Sequence, residues 1–586
     1  MKRILCWLLV LGSCFPEPRV RQPTSMAPTG PAQTPGITRP NYRTDETQIP
    51  VDPALVGRGK TAMVASEDRY ASQAGQAVLA AGGNAADAAV AAAFVLAVTH
   101  PSAGNIAGGG FAIVRSGKAQ AAALDFRETA PAAATPTMFL DPSGNPTRAS
   151  IAGHTACGVP GSVAGLWALH QKFGKAAWAD LVAPAIKLAQ DGFPVDAGLH
   201  AALLRFSKTR STAAAPLWWP NGNPRRIGEI VTNSELAAVL KRIAANGPRG
   251  FYGGETASAI VAEMQRGGGM ITAADLAGYN VVWRQPLRVR YRDHELYTMP
   301  PPSSGGVAIA MTANMLRRWD LRSVGWHSAT HVHLLVEVWR RAFAARNEVL
   351  GDPAFVADMP VARLISEPYA DKLAATITAH ATPSTKVPGM IEGTHTTNLA
   401  IVDKNGMAVA MTTTLNTAFG NGIMVSGFLL NNEMDDFTAK PGAPNNFGLV
   451  QGEANKIQPG KRMLSSMSPT IVEDRSGNLE MVVSGQGGAR IITEVWQTLS
   501  NVLDFGMAVD AAIAAPRVHH QHLPDEVVLE DQAITKGVAD QLEATGYSLI
   551  WNQPQRIYGA VEAIVRIPGG WRGAADHRNG GAAIGD

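Results

Sequence analysis

Residues 393–416, GTHTTNLAIVDKNGMAVAMTTTLN, constrain the fold more than any other stretch of the chain. Threonine is enriched in strands because its branched Cβ suits a pleated, half-buried surface. The pair Asn405-Gly406, between two apolar runs, is a strong signal for a tight hairpin turn. The sequence therefore predicts two antiparallel strands, at 396–403 and 407–415, with threonines at the start of the first and the end of the second.

Helical and strand patterns alternate along the rest of the chain. Residues 66–99 predict two helices broken at Gly82-Gly83-Asn84, and a glycine-rich loop then leads into a strand from Phe111. Further strands are expected at 423–430, 469–473 and 480–484, and further helices at 489–506 and 508–514. Helices, then paired strands, then helices again indicate an α/β sandwich of mixed order.

The first 14 residues, MKRILCWLLVLGSC, have the pattern of an export signal. Lys2 and Arg3 precede an apolar run from Ile4 to Leu11, which is too short to cross a bilayer. The letters LGSC resemble a bacterial lipobox and predict lipidation of Cys14, with an ordinary signal peptide and a chance cysteine as the alternative. Residues 15–53, rich in proline and threonine, predict a disordered tether. We therefore expect an exported protein of the periplasm or cell envelope.

Charge and cysteine content narrow the class of protein further. The net charge is +3 and no basic block is interleaved with aromatic residues, which argues against a nucleic-acid partner. Cys157 is the only cysteine beyond the signal region, so the mature chain can form no intrachain disulfide. An exported chain without disulfides depends on its core for stability.

Three other patterns suggest sites but favour simpler interpretations. The pair His327 and His331, and the cluster His519, His520 and His522, form no recognised metal site by themselves. GNIAGGGF lacks the spacing of a phosphate-binding loop and precedes a strand instead of a helix. GSVAG, at 161–165, has the spelling of a nucleophile elbow but follows no apolar strand. We expect neither a metal nor a cofactor.

A threonine can act as a nucleophile when a base stands beside it. The α-amino group of the same residue can be that base, provided the threonine is a chain N-terminus. Inside a chain of 586 residues this requires cleavage of the preceding peptide bond, which the hydroxyl itself can begin by attacking the preceding carbonyl. Thr394, Thr396 and Thr397 all stand where this scheme needs a hydroxyl.

Other residues predict the remaining parts of an acyl-transfer site. Gly487-Gly488, between a strand and a helix, can present backbone N–H groups to an oxyanion, although a tight turn explains them equally well. LLNNEMDDF clusters acids that suit an ammonium group. Ser465, Ser466 and Arg127 suit a carboxylate. Together these features predict an acyltransferase that recognises an amino acid.

From about residue 55 to its end, the chain resembles the γ-glutamyltransferase (glutathione hydrolase) family of N-terminal-nucleophile hydrolases. The resemblance rests on the threonine-rich hairpin and on six further motifs, which are, in chain order, LDFRETAP, MPPPSSGG, LGDPAF, LLNNEMDDF, KRMLSSMSPTIV and SGQGGARIITEVWQ. The hairpin lies between LGDPAF and LLNNEMDDF. It implies a four-layer αββα sandwich. It also implies that a large chain, 54–395, and a small chain, 396–586, are cut from one precursor and form a heterodimer.

The resemblance also implies a role for each matching residue. Thr396 corresponds to the nucleophile, with cleavage between His395 and Thr396, and Thr414 to the threonine that hydrogen-bonds it. The implied partners of the substrate are Arg127, Ser465 and Ser466 for the α-carboxylate, Asn416, Glu433 and Asp436 for the α-amino group, and Gly487 and Gly488 for the oxyanion. Glu433 and Asp436 are expected to stay unpaired unless a substrate ammonium group lies between them.

The implied reaction is cleavage of glutathione or another γ-glutamyl amide through an ester with Thr396, resolved by water or an amino-acid acceptor. Two residues depart from the family pattern: Asn398 replaces a histidine of many relatives, and Phe447, in the lid loop, replaces a tyrosine of some. An acylase of the same fold that acts on glutaryl side chains is the alternative enzyme. An unprocessed, non-catalytic binding protein is the alternative from another class.

Overall fold

The predicted hairpin forms the centre of a seven-stranded antiparallel sheet, which we call the hairpin sheet. The computed structural model describes residues 41–44, 49–206, 214–384, 396–551 and 559–586. In spatial order the strands of the hairpin sheet are Ala582–Gly585, Met63–Ser66, Thr397–Val402, Ala408–Thr414, Gly109–Gly117, Gln120–Asp125 and Val282–Arg284. The hairpin turns at Asn405-Gly406, where Gly406 takes a positive φ of 78°.

A second antiparallel sheet of seven strands, the opposite sheet, packs face to face with the hairpin sheet. Its strands in spatial order are Val56–Gly59, Gly570–Ala574, Val561–Ile567, Leu479–Gly485, Thr470–Asp474, His294–Thr298 and Leu287–Tyr291. Leu479–Gly485 lies against both strands of the hairpin. The opposite sheet therefore brings the segment after Gly485 towards the threonines of the hairpin.

The alternation of side chains along the hairpin explains the layers. Ala400 and Val402 are buried in the core that includes the opposite sheet, whereas Leu399 and Ile401 are buried in a separate core with helices. Successive side chains of a strand point to opposite faces, so a fully apolar strand requires a layer on each side. The result is the four-layer αββα sandwich that was predicted.

Helices form the two outer layers. Arg69–Ala80 and Ala85–Thr99 cover the hairpin sheet and are separated, as predicted, at Gly82-Gly83-Asn84; the Asn84 side chain caps the second helix by accepting from the N–H of Asp87. Three more helices pack on the same side: Ser162–Phe173, Trp178–Asp191 and Ser234–Asn246. The opposite sheet is covered by Gly305–Leu316, Ala329–Val349 and Ile491–Leu503.

Shorter elements connect the layers. The remaining α-helices are Ala197–Arg205, Ala215–Trp218, Arg249–Tyr252, Gly254–Gly267, Ala273–Gly278, Leu321–Val324, Val361–Leu364, Glu367–Ala374, Val509–Ala514 and Lys536–Ala544. The small sheets pair Phe193–Pro194 with Ile230–Val231, Met424–Val425 with Phe428–Leu429, and Val527–Leu529 with both Val518–His519 and Leu549–Trp551. None of the helices in the described ranges is apolar over a length that would span a bilayer.

One predicted strand is wrong. Residues 423–430 form a small hairpin, Met424–Val425 with Phe428–Leu429, instead of one strand. The turn between them consists of Ser426 and Gly427, which both have positive φ values, of 45° and 84°. Two adjacent positive φ values are typical of a two-residue hairpin turn, so the Ser-Gly pair reverses the chain.

Candidate active site

Thr396 lies directly before strand Thr397–Val402, at one end of the hairpin sheet. The register pairs Thr397 with Thr413, and its continuation puts Thr396 opposite Thr414. Directly opposed residues of an antiparallel pair have Cβ atoms about 5 Å apart. The fold therefore brings the predicted nucleophile and its predicted partner side by side on neighbouring strands.

The direction of the side chains distinguishes Thr396 from Thr397. Thr396 shares the face of Ala400, towards the opposite sheet, whereas Thr397 shares the face of Leu399, towards the helices. The Thr397 hydroxyl is buried and forms no hydrogen bond with any described part of the chain. Only Thr396 of these two residues lines the cavity described next. Thr394 lies outside the described residues.

A cavity between the two sheets collects the predicted site residues. Besides Thr396 it is lined by Arg127, Thr414, Asn416, Glu433, Asp436, Ser465, Ser466 and Gly488. Its apolar walls come from Phe447, Leu449, Met467, Ala489 and Ile491. Of the other predicted residues, Gly487 directly precedes the lining residue Gly488, and His395 and Cys14 lie outside the described residues. Segments distant in sequence thus meet in one cavity that Thr396 lines.

Gln486 contacts the nitrogen of Thr396. Its Oε1 atom accepts a hydrogen bond from the Thr396 backbone N–H at 3.0 Å, and both residues are buried. Gln486 directly follows strand Leu479–Gly485 of the opposite sheet, so sheet packing delivers it to this position. The sequence analysis gave Gln486 no role, because a single amide side chain in a glycine-rich turn carries no signal of its own.

The turn at Gly487 and Gly488 favours glycine at its first position. Gly487 has a φ of 145°, and a Cβ atom there would lie 3.1 Å from both carboxylate oxygens of Glu494. Gly488 begins the short turn Gly488–Arg490, which continues into helix Ile491–Leu503. The N-terminus of a helix carries unpaired N–H groups and a partial positive charge, which stabilise a developing oxyanion.

Arg127 is the centre of the polar cluster in the cavity. It is completely buried, its Nη1 pairs with Glu433, its Nη2 pairs with Asp436, and its Nε donates to the Met463 carbonyl at 3.3 Å. The expectation that Glu433 and Asp436 stay unpaired without a substrate is therefore wrong. The arginine of LDFRETAP pairs with both, which the sequence could not reveal because Arg127 is 306 positions from Glu433 and 309 from Asp436.

The cluster nevertheless has an excess of acids. Burial raises the pKa of Glu433 well above its ordinary value, and Arg127 offsets this only in part. Glu128, whose Oε2 lies 3.7 Å from Nη1 of Arg127, adds a third carboxyl, and burial raises its pKa to about 8. Burial alone would lower the pKa of Arg127, but the neighbouring carboxylates outweigh it and raise that pKa. A further cation bound beside these acids would favour their charged form, so the cluster suits a cationic group.

Ser465 and Ser466 present hydroxyl donors to the cavity. The Oγ of Ser465 accepts from the N–H of Met467 at 3.2 Å, and the Oγ of Ser466 accepts from Nη2 of Arg346 at 3.4 Å. A hydroxyl that already accepts a hydrogen bond still has its own hydrogen to donate. Both serines therefore suit an anionic group, as the resemblance implies.

Thr414 and Asn416 are held by local hydrogen bonds. The N–H of Asn416 donates to Oγ1 of Thr414 at 2.8 Å, and Nδ2 of Asn416 donates to the carbonyl of Asn432 at 2.9 Å. Asn416 has a positive φ of 79°, a conformation that asparagine tolerates better than most residues. The amide of Asn416 is thereby fixed between the end of the hairpin and the acidic turn Glu433–Asp436.

The two departures from the family pattern have structural consequences. Nδ2 of Asn398 donates to Glu67 at 2.6 Å, and its Oδ1 accepts from the N–H of Glu562 at 3.3 Å, so this residue joins the two sheets beside Thr396. Phe447 is buried and lines the cavity with an apolar ring. Asn398 thus has a complete set of partners, and Phe447 closes the cavity without a hydroxyl.

The other candidate motifs have structural roles. Ser162 of GSVAG is buried at the start of a helix and donates to Asn105 at 2.6 Å. Gly108 of GNIAGGGF lets the loop approach the hairpin, since a Cβ there would lie 1.9 Å from the Thr414 carbonyl. The backbone N–H of His327 donates to Nδ1 of His331 within the core, and no group of potential metal ligands forms in the described ranges.

Comparisons with known proteins identify the family of this chain. The family model described as Gamma-glutamyltranspeptidase matches residues 71–586. The glutathione hydrolase proenzyme of Escherichia coli (strain K12) is 42% identical over 595 residues, which cover 99% of this chain and 98% of that protein. The glutathione hydrolase proenzyme of Pseudomonas aeruginosa is 45% identical, covering 89% of this chain and 94% of that protein. The crystal structure of cephalosporin acylase from Bacillus halodurans superposes with a TM-score of 0.79 at 25% identity, covering 93% of this chain and 99% of that one.

Proposed function

Because this chain belongs to the gamma-glutamyltranspeptidase family, it is a glutathione hydrolase and γ-glutamyltransferase, and we propose that Thr396 performs its chemistry. The single observation that supports this assignment best is the position of Thr396. It lies in the cavity opposite Thr414 and beside the turn at Gly488, and its nitrogen contacts Gln486.

We propose that the precursor cleaves itself before Thr396. The Thr396 hydroxyl attacks the carbonyl carbon of His395, the peptide bond shifts to an ester, and water hydrolyses the ester. The products are the carboxyl terminus of His395 and the free α-amino group of Thr396. The large chain of residues 54–395 and the small chain of residues 396–586 stay together, because both chains contribute strands to both sheets.

In turnover, Oγ1 of Thr396 attacks the γ-carbonyl carbon of the donor and passes its proton to the Thr396 α-amino group. The N–H groups at Gly487 and Gly488 stabilise the oxyanion. The bond to the leaving nitrogen then breaks, and that nitrogen takes the proton from the α-ammonium group, which leaves a γ-glutamyl ester. Water or the amino group of an acceptor attacks the ester by the same steps and restores the hydroxyl.

The charges in the cavity match the two ends of a γ-glutamyl group. The excess of acid around Arg127 suits the α-ammonium group, and the hydroxyls of Ser465 and Ser466 suit the α-carboxylate. A glutaryl group has the carboxylate but no ammonium group, so it would leave the excess acid without its counter-charge. Burying an uncompensated charge is costly, and we expect the enzyme to prefer γ-glutamyl donors.

The experiment compares kcat/KM for the p-nitroanilides of γ-glutamic and glutaric acid. We expect a preference for the γ-glutamyl donor of roughly a hundredfold, because a missing partner of a buried charge costs several kcal/mol. The glutaryl acylase remains the second candidate function, since the chain resembles a cephalosporin acylase in structure and Arg127 already neutralises part of the acid. Equal rates with both donors would favour the acylase, and no rate with either would favour a binding protein.

A neutral substitution at Asp436 refines this comparison. Asp436→Asn removes one of the two acids paired with Arg127. We expect this variant to lose activity towards the γ-glutamyl donor and to discriminate less against the glutaryl donor. An unchanged ratio between the two donors would contradict a role of Asp436 in binding the ammonium group.

We also propose that the protein is exported and anchored to the cell envelope through a lipid on Cys14. The basis is the signal pattern of residues 1–14, which lie outside the described ranges, and the proline- and threonine-rich segment 15–53. The predicted tether does not extend through residues 41–44, because the N–H of Arg43 donates to the carbonyl of Ile534 at 2.9 Å. Mass spectrometry of the membrane fraction should find an acylated cysteine at the mature N-terminus. A soluble product that begins beyond Cys14 would show that LGSC is a coincidence.

A further inference from the structure

Arg346 is a buried cation that forms no ion pair with the described residues. It is 1% exposed and lies in helix Ala329–Val349. Buried charges are usually paired with an opposite charge, because an isolated charge in a protein interior is costly. An arginine that is retained without such a partner points to an anion that is bound only when substrate is present.

The hydrogen bonds of Arg346 end on neutral oxygen atoms, one of which belongs to the cavity residue Ser466. Its Nε donates to Oγ of Ser304 at 3.0 Å, its Nη1 donates to Oε1 of Gln451 at 3.0 Å and to Oδ1 of Asn347 at 2.9 Å, and its Nη2 donates to Oγ of Ser466 at 3.4 Å. None of these acceptors is ionised. The charge of Arg346 is therefore oriented by this network but not neutralised by it.

The hydrogen bonds of Arg346 reach both Ser465 and Ser466. Ser304, which accepts from Arg346, donates its own hydroxyl to the carbonyl of Ser465 at 2.5 Å. Ser466 accepts from Arg346 directly, so its hydrogen is directed away from the guanidinium. Gln451 adds a third connection, since its Nε2 donates to the carbonyl of Asp436 at 3.2 Å. Arg346 thus links the serines to the segment that carries the acidic cluster.

The contrast with Arg127 completes the argument. Arg127, which the resemblance assigns to the α-carboxylate, pairs with two carboxylates and stands 3.7 Å from a third. Arg346, behind the serines, forms no ion pair with the described residues, and the nearby charge of Asp436 offsets its burial only in part. Burial lowers the pKa of its guanidinium to about 10, which still leaves it charged at neutral pH.

We propose that Arg346 is a positioning and specificity-determining residue for the α-carboxylate of the donor. It holds Ser466 as a hydrogen-bond donor, and its positive charge complements the carboxylate bound at Ser465 and Ser466. This inference rests on the proposed γ-glutamyl specificity. It predicts that the energetic effect of Arg346 depends on the carboxylate of the donor and on no other part of it.

The test uses three p-nitroanilides that differ in one group each. The γ-glutamyl donor has the carboxylate and the ammonium group, the glutaryl donor has only the carboxylate, and the 4-aminobutyryl donor has only the ammonium group. In Arg346→Met, kcat/KM should fall by about ten- to a hundredfold for the first two donors, mainly through KM, because one charge-assisted hydrogen bond is lost. For the 4-aminobutyryl donor, kcat/KM should change little.

Two further variants distinguish this role from a structural one. Arg346→Lys keeps the charge but cannot reach Ser304, Gln451 and Ser466 together, so it should show the same dependence on the carboxylate with a smaller loss. Arg340→Met removes another buried arginine of the same helix, one that pairs with Asp525 outside the cavity. It should leave the ratios among the three donors as in the wild type.

A uniform loss over all three donors in both Arg346 variants would overturn the proposal, because it would indicate distortion of the fold or the nucleophile. If Arg346→Met fails to fold, the lysine variant gives the decisive ratios. Failure of the underlying function looks different: the wild-type protein itself would then not prefer the γ-glutamyl donor. Cleavage of each variant into two chains is checked on a denaturing gel before its kinetics are measured.

Discussion

Removing the side-chain amide of Gln486 should impair the base of the reaction without affecting the binding of substrate. In the structure, Oε1 of Gln486 accepts the N–H of Thr396 at 3.0 Å in a buried environment. After cleavage, that nitrogen is the α-amine that must take the proton of the hydroxyl. The amide oxygen can hold the amine by one of its hydrogens and so direct the lone pair towards Oγ1.

The size of the effect follows from this one contact. The α-amine becomes protonated when it takes the proton of the hydroxyl, and its hydrogen bond to Oε1 of Gln486 is then a bond to a charged group. Such a bond contributes about 1.5–3 kcal/mol. At about 1.4 kcal/mol per factor of ten, Gln486→Met should lower kcat by roughly ten- to a hundredfold. KM should change little, since Gln486 is not among the residues that line the cavity.

The assay is the dependence of kcat on pH with γ-glutamyl p-nitroanilide. An acceptor beside the amine favours its protonated form, so its loss in Gln486→Met should move the acidic limb of the profile to lower pH. Gln486→Glu introduces a carboxylate and should move this limb to higher pH. Gln497→Met is the matched control, because Gln497 is also buried but its amide bonds only the backbone of Thr493 and Val518. Wild-type kcat and an unshifted profile in both Gln486 variants would refute the reasoning.

Three further predictions concern the turn, the acidic segment and the core. Gly487→Ala should lower kcat by about a hundredfold or more, because its Cβ would lie 3.1 Å from the Glu494 carboxylate and displace the oxyanion donors; near-normal turnover of a cleaved variant would contradict this role. Burial raises the pKa of Asp435 from 3.8 to about 6, so the folded state binds this proton more tightly than the unfolded state, and the free energy of unfolding falls by about 3 kcal/mol as the pH rises from about 4 to above 6. Asp435→Asn should remove this decrease, which melting temperatures across this pH range would show. Asp576→Ala should destabilise the fold by about 3–5 kcal/mol, because it leaves Arg517 and Arg578 buried without this carboxylate; calorimetry would contradict this if the melting temperature stayed the same.

The hairpin and the helix pair could be predicted because their signals are local. The Asn405-Gly406 turn, the threonine-rich strands and the break at Gly82-Gly83-Asn84 are each determined by residues within one element, and the observed bounds differ from the predicted ones by one to a few residues. The wrong strand at 423–430 was also a local error. The apolar run hid a Ser426-Gly427 turn, whose positive φ values the sequence pattern did not require.

The site could be predicted only as a set of residues. The motifs identified the residues that line the cavity, and the structure brings them together. The motifs gave no information on which of these residues contact each other. The pairing of Arg127 with Glu433 and Asp436, the contact of Gln486 with Thr396 and the network of Arg346 all join residues that are distant in sequence. Such contacts arise from the packing of the two sheets, and no spacing within a motif encodes them.

The most direct test of the central assignment is the mass of the chains in purified protein. We predict two chains, the smaller of which begins at Thr396 and ends at Asp586. Thr396→Ala should remain a single chain, because it lacks the hydroxyl that attacks the carbonyl of His395. Thr397→Ala is the matched control and should be cleaved as the wild type is, since the Thr397 side chain faces the helices. A Thr396→Ala protein that is still cleaved, or a small chain that begins at Thr397, would contradict the account.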